Sequence, residues 1–225
     1  TGMARNDAEH AQQLYDILSK GWFIAATPTL MNIGTKKGLP ISCFLNTVPD
    51  TLEGIFDVFR ENAFMSKYGG GIGTDWSQLR GQNAPLKASG LKSSGVIPFL
   101  KIMDSETIAI SRNSTRRGAA AAYLRIDHPD IEDFLELRKP GGDQDRRCMN
   151  INNGLVLTDA FMEAVEAGKP YQLIDPHYNT VAGELDALTM WRKILSMRAE
   201  TGEPYMIFID TVNKARPQHH KDLGL

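Results

Sequence analysis

The sequence predicts an α/β fold built on a largely parallel sheet. Two observations carry that expectation. Five short runs with strand character alternate with stretches of helical apolar spacing. Glycine- and proline-rich connections punctuate them, and there is no internal repeat or low-complexity segment. With 225 residues, 42% of them hydrophobic, the chain has material for one large or two small domains.

Along residues 4–20, Ala8, Ala11, Leu14 and Leu18 share one helical face, and Gly21 ends the pattern. GWFIAATPTLMNIGTKKGLP reads as a connection. ISCFLN (41–46) is a short buried-type run, expected to be the first strand. Asp50 or Thr51 caps the next helix, with Glu53 in its first turn. Its apolar face is Leu52, Ile55, Phe56, Phe59, Ala63 and Phe64. KYGGG leads out of that helix into a second strand, IGTDW (72–76).

Residues 80–95 read as a long irregular loop, a length that often carries function in a compact domain. Val96 to Ile110 reads as a helix with Pro98 in its first turn. A second loop, SRNSTRRG (111–118), precedes the strand AAAAYLRI, whose small residues suit tight packing. Asp127 and Pro129 announce a helix in DHPDIEDFLELRK. NNGLVLT (152–158) is a strand, Asp159 caps DAFMEAVEAG, Leu185 to Ala199 is amphipathic, and PYMIFID (204–210) is the last strand. Ligands in such sheets gather at the carboxyl ends of the strands.

Composition narrows the function classes. A net charge of −2 favours neither nucleic acid nor a membrane surface as partner. The apolar runs are too short to span a bilayer, and the polar, helical start does not read as a signal peptide. Cys43 and Cys148 belong to no CxxC pair, which argues against a zinc cluster and for a reducing, cytoplasmic setting. No HxxxH or HExxH pattern occurs, so no metal site is expected. The first and last residues suggest a piece of something longer.

Three stretches could carry chemistry. KYGGGIG follows a helix and enters a strand, the reverse of a dinucleotide fingerprint, so it is either a helix cap or a place of close backbone approach. STRRGAAAA offers arginine forks and hydroxyls to an anion, or is a solvated basic turn. Cys43, by residue type alone, is most often an inert buried thiol, and Ser42 a strand residue satisfied by backbone.

Motifs in order go further. ATPTLMNIG, SCFL, PDTLEGIFD, SKYGGGIG, LRGQNAPL, SSGVIPFLKIMD, STRRGAAAAYL, DHPDIEDFLELRK and GEPYMIFIDTVN follow one another from about residue 21 to the end. This series strongly resembles the catalytic large subunit of ribonucleotide reductase, more class I than class II. The resemblance implies the first five-stranded half of a ten-stranded α/β barrel over 41–225, with 1–40 as a helical segment and connection. It implies reduction of ribonucleotides by thiyl-radical chemistry, under allosteric control by deoxynucleoside triphosphates or ATP.

Particular residues acquire implied roles. Cys43 matches one of the redox pair that reduces the ribose 2′ carbon, and Cys148 does not match its partner. Thr27, Ser42 and Gly71 match substrate-binding positions. Asp50, Thr51 and Leu52 match the first segment of the effector site, and Lys67 a basic residue supplied by a neighbouring subunit. Arg80 and Lys87 match the first effector loop, and Arg116 the second. The implied partners are a second copy of the chain, a radical-generating small subunit with a metal (or adenosylcobalamin in class II), and thioredoxin or glutaredoxin as reductant. The family's radical-carrying cysteine segment is missing before HHKDLGL ends, so the 225 residues alone are expected to be inactive.

Overall fold

In the computed structural model, residues 7–36, 39–86, 90–111 and 118–224 are described, the side chain of Ser111 excepted. Lys87 and Arg116 lie outside them. Helix α1 (Ala8–Ser19) starts where the Asp7 carboxylate accepts the His10 N–H. The stretch read as pure connection holds a short helix, α2 (Thr27–Asn32), with Pro28 at its start, where a missing N–H costs nothing. Strand β1 (Cys43–Thr47) follows, then helix α3 (Leu52–Lys67). Thr51, not Asp50, caps α3 by accepting the Gly54 N–H at 3.1 Å.

Next come β2 (Gly71–Asp75), a minimal antiparallel pair β3 (Pro85–Leu86) and β4 (Leu91–Lys92), and helix α4 (Ile97–Ser111). Strand β5 (Ala119–Arg125) leads to α5 (Ile131–Leu135), shorter than the periodicity suggested. Strand β6 (Asn152–Leu157) feeds α6 (Asp159–Ala167), capped by Thr158 rather than Asp159. A β-hairpin then appears that the sequence reading left blank, β7 (Pro170–Asp175) and β8 (Thr180–Asp186). It occupies Leu185 and Asp186, so α7 (Ala187–Thr201) begins later than expected, with Asp186 as its cap. Strand β9 (Tyr205–Phe208), α8 (Ile209–Lys214) and α9 (Gln218–Asp222) complete the order.

The main sheet has the order β1-β2-β5-β6-β9, with each neighbouring pair parallel. These are the five strands the sequence predicts. Side chains alternate across a strand, so the register assigns each residue to a face. One face carries Ile72, Ala120, Ala122, Leu124, Leu155 and Leu157, all buried, in one cluster with Val58 and Phe59 of α3, Leu100 and Met103 of α4, Phe161 of α6 and Ile194 of α7. Burying such side chains contributes about 1.5–3 kcal/mol each for the larger ones. The other face carries Cys43, Leu45 and Thr47 on β1, all exposed, with Gly71, Gly73, Ala119, Ala121, Tyr123, Gly154 and Tyr205 across the sheet.

Polar clamps fix the sheet beneath that open face. Asn46 of β1, Asn62 of α3 and Thr74 of β2 form a closed ring. Asn46 Nδ2 donates to Asn62 Oδ1 (2.9 Å), Asn62 Nδ2 to Thr74 Oγ1 (3.3 Å), and Thr74 Oγ1 to Asn46 Oδ1 (2.9 Å). A buried ring with every member satisfied sets a unique register, which an apolar contact would leave free to slip.

Candidate functional site

The expected site residues fall into two groups, at opposite ends of the parallel sheet. Cys43 opens β1, so its thiol stands at the amino end. The thiol is free and exposed, and Ser42 Oγ lies 3.6 Å from its sulfur. Gly71 opens β2 beside it, donating its N–H to Ser42 O at 2.7 Å. A Cβ on Gly71 would point over the thiol, 3.9 Å from Sγ, and would meet nothing closer than Ser42 O at 3.4 Å. The fold has room for a methyl there; glycine keeps open the space above the sulfur. Thr27 opens α2 and is exposed. α2 is tied to the approach to β1 by Thr29 Oγ1 donating to Pro40 O (2.9 Å) and Asn32 Nδ2 to Leu39 O (2.8 Å).

Tyr123 belongs to this region, although sequence reasoning did not single it out. Its ring lies between two glycines of the neighbouring strands. A Cβ on Gly154 would fall 2.5 Å from the ring, and one on Gly73 3.3 Å from it. Burial raises the Tyr123 hydroxyl pKa, and the nearby Tyr205 and Cys43 add to the shift, so the phenol keeps its proton. The signal lies in one glycine paired with the tyrosine, Gly154, and one diagonal to it on the other strand, Gly73, and only pairing reveals it.

Cys148 contrasts with Cys43. It is fully buried, and burial pushes its thiol up to about 12, with Asp104 adding to the rise. Thiolate is the reactive form, so Cys148 is inert and structural.

The second group sits beyond the carboxyl end. Asp50 follows β1 by three residues, and its carboxylate takes the Arg80 guanidinium as a fork. Nε is 3.1 Å from Oδ1 and 2.9 Å from Oδ2, Nη2 is 2.7 Å from Oδ2, and the Arg80 backbone N–H adds 3.2 Å to Oδ1. The pairing raises the Arg80 pKa further. Asp50, Thr51, Leu52, Ile55, Leu79, Arg80, Leu86, Ser93, Ser94 and Phe99 line a cleft of about 390 Å³, whose charged members are Asp50 and Arg80. Asp50 also borders a polar cleft of about 530 Å³ on its far side, with Arg125, Asp127 and His177.

The described ends of the segment bordering the first cleft are anchored by hydrogen bonds. Asp130 accepts Gln82 N–H (2.7 Å) and Val96 N–H (2.8 Å), and buried His128 bonds Leu79 O through Nε2 (2.7 Å) while its Nδ1 accepts the Asp130 N–H (3.0 Å). Lys67 does not join this cleft. It is exposed at the far end of α3, about 22 Å along the helix from Leu52. Among the described residues, no group of three or more His, Cys, Asp or Glu could hold a metal ion, and no helix is long and apolar enough to cross a membrane.

Residues 41–224 match the ribonucleotide reductase barrel domain, and residues 1–38 match the ribonucleotide reductase all-alpha domain. The putative ribonucleoside-diphosphate reductase large subunit of Frog virus 3 is 42% identical over 217 residues, covering 96% of this chain and 37% of that protein. The large subunit of Invertebrate iridescent virus 6 is 38% identical (97% and 23% covered), and the alpha subunit of Chlamydia trachomatis is 35% identical (98% and 24% covered). The Actinobacillus ureae class Id ribonucleotide reductase alpha subunit superposes with a TM-score of 0.75 at 28% identity, over 97% of this chain and 36% of that one. The chain thus spans well under half the length of these relatives, and it belongs to the large-subunit family of ribonucleotide reductase.

Proposed function

We propose that this chain carries one thiol of a ribonucleotide-reducing site at the amino end of its sheet and a nucleotide effector site at the carboxyl end. The observation that carries the first half is the free, exposed Cys43 thiol beside Gly71 on an uncovered sheet face. Two thiols supply two electrons and two protons to the ribose 2′ carbon. The C–O bond breaks, a C–H bond forms, water leaves, and the sulfurs close a disulfide. Cys43 is one of the two. Cys148 is too buried to be the other, so the partner thiol comes from another segment. Ser42 and Thr27 offer hydroxyls to the substrate, and Gly71 leaves room for the ribose.

The radical that starts the reaction comes from outside this chain. A metal-containing small subunit supplies it if the protein is class I, like its Actinobacillus ureae neighbour, and adenosylcobalamin supplies it in class II. Thioredoxin or glutaredoxin restores the thiols in a reducing cytoplasm. The open face bearing Cys43 packs against the second half of a ten-stranded barrel.

In the effector site, Asp50 accepts a deoxyribose hydroxyl, Arg80 meets the phosphates, and Thr51 and Leu52 line the floor. Lys87 and Arg116 add the loop contacts. Lys67 serves the cleft of a second copy, in keeping with its distance from its own. The exposed apolar residues Leu52, Phe56 and Phe64 of α3, with Tyr68 just after it, give that second copy a surface to bury.

Two measurements test this. The purified chain, given reductant and a radical source, should form no deoxynucleotide; turnover would overturn the need for a second thiol. Calorimetric titration should show binding of dTTP, dATP or dGTP. Effector binding without any nucleoside diphosphate binding would favour a second reading, a regulatory module that keeps only the Asp50–Arg80 cleft.

A further inference from the structure

The hairpin β7–β8 was invisible in the sequence, and it ends on the effector cleft. Its turn presents His177 to Asp50, with Nδ1 2.6 Å from Oδ2. The turn is well held. Asp175 accepts the backbone N–H groups of His177 and Tyr178, both at 2.9 Å, and Tyr178 Oη donates to Pro85 O at 2.9 Å. Ile174 N–H is bonded to Asp127 O at 2.7 Å. The His177 side chain itself is more than a third exposed, against 14% for both Asp50 and Arg80.

A carboxylate has about four lone-pair positions. At Asp50 three are taken by the Arg80 backbone N–H, Arg80 Nε and Arg80 Nη2, and His177 Nδ1 stands against the carboxylate at 2.6 Å from Oδ2. A ligand hydroxyl that donates to the remaining position competes with His177 for the space beside Oδ2. The Arg80 fork holds at two atoms and carries full charge, and the backbone N–H is fixed by the loop.

His177 is the weakest of the four. Its Nδ1 also lies 3.2 Å from Arg80 Nη2. If Nδ1 carries a hydrogen, two donors face each other across that distance. If it does not, its lone pair faces the Asp50 carboxylate oxygen at 2.6 Å. Either way one of its contacts is repulsive, and leaving relieves it.

We propose that His177 is a positioning residue of the effector site. It sits against the Asp50 carboxylate, is displaced by the ligand hydroxyl, and so couples the β7–β8 turn to ligand binding. This rests on the effector reading given above. It goes beyond that reading by assigning the hairpin a part in it.

The experiment is calorimetric titration of dTTP into the chain and two variants, with amide hydrogen exchange over residues 175–179. His177→Ala removes the competitor and should tighten binding roughly three- to tenfold, the worth of one net hydrogen bond. His177→Asn keeps a donor nitrogen at the Nδ1 position and should bind as the parent does. Bound dTTP should speed exchange in the turn of the parent chain and leave that of His177→Ala unchanged. Unchanged or weaker binding by a folded His177→Ala overturns the displacement while leaving the effector site intact. No dTTP binding by the parent chain overturns the effector reading, and this inference with it.

Discussion

The two ends of the parallel sheet are set up in opposite ways. At the amino end, small residues leave a thiol open to its surroundings. Gly71, Ala119 and Ala121 give Cys43 no side chain to pair with, and its neighbouring hydroxyl is 3.6 Å away. At the carboxyl end, almost every polar atom is taken. Asp50, Arg80, His177, Asp130 and His128 bind one another or the loop backbone. The difference follows from what each end connects. Strands exit at the carboxyl end into loops whose backbone N–H groups need acceptors, and carboxylates nearby supply them. The amino end has only the short approaches to the strands, so its surface is open for another element to complete.

The largest effect expected from this contrast is in thiol reactivity. Cys43→Ser should remove the fast-reacting thiol of the native chain. The remaining Cys148, with its pKa near 12, is about 10⁻⁴ thiolate at pH 8 and is buried besides. Alkylation by iodoacetamide should therefore slow by at least about 1000-fold, while dTTP affinity stays within roughly twofold of the parent. Equal labelling of the two cysteines in the native protein would erase the distinction between them. The complementary variant works at the other end. Asp50→Ala strips Arg80 of its partner and the ligand of its acceptor, and should weaken dTTP binding roughly 10- to 100-fold, the worth of a charge-assisted hydrogen bond. Cys43 labelling should not change. Coupled losses at both ends would mean that the sheet does not insulate them.

The sequence made one end more legible than the other. The five strands and their helices followed from periodicity, and the ordered motifs brought attention to Cys43, Gly71, Asp50 and Arg80. The structure places Cys43 with Gly71, and Asp50 with Arg80. Three things escaped. The β7–β8 hairpin alternates weakly, because Gln172, Glu184 and Gly183 interrupt its apolar residues, and His177 arrived with it. Tyr123 needs the register to reveal its glycine neighbours. The general rule that ligands gather at carboxyl ends does not point to Cys43, since β1 begins with it. Local pattern sees periods and caps; it does not see which residues from distant strands meet.

A pair of glycine variants sharpens the picture of the open face. Gly154→Ala drives a methyl to within 2.5 Å of the Tyr123 ring, so the ring must move, and stability should fall by about 1–3 kcal/mol in urea unfolding. Gly71→Ala meets nothing closer than 3.4 Å and should change stability by no more than about 1 kcal/mol. It should nonetheless slow Cys43 alkylation, because the methyl stands 3.9 Å from the sulfur. If Gly71→Ala proves the more destabilising of the two, that glycine serves the backbone and not the space above the thiol.

The smallest expected effect lies on α4, the helix that returns the chain from the Asp50–Arg80 cleft, where Phe99 lines the wall, to the amino end where β5 begins. Burial alone pushes Glu106 on this helix up to about 7. A carboxyl that is harder to ionise in the folded chain than in the unfolded one keeps its proton longer in the folded state. Between about pH 4.5 and 7 the folded state then binds more protons, and stability falls as pH rises through that window. Below it both states are protonated, and above it the penalty is constant. Glu106→Gln should accordingly match the parent near pH 4 and exceed it at pH 8. The side chain is only half-buried, so solvent screening reduces the gain to about 1 kcal/mol, or a rise of roughly 2–4 °C in Tm. Groups common to both chains cancel in the comparison, so a constant difference between the two melting curves from pH 4 to 8 would show that the carboxyl ionises freely and that burial on α4 does not strain it.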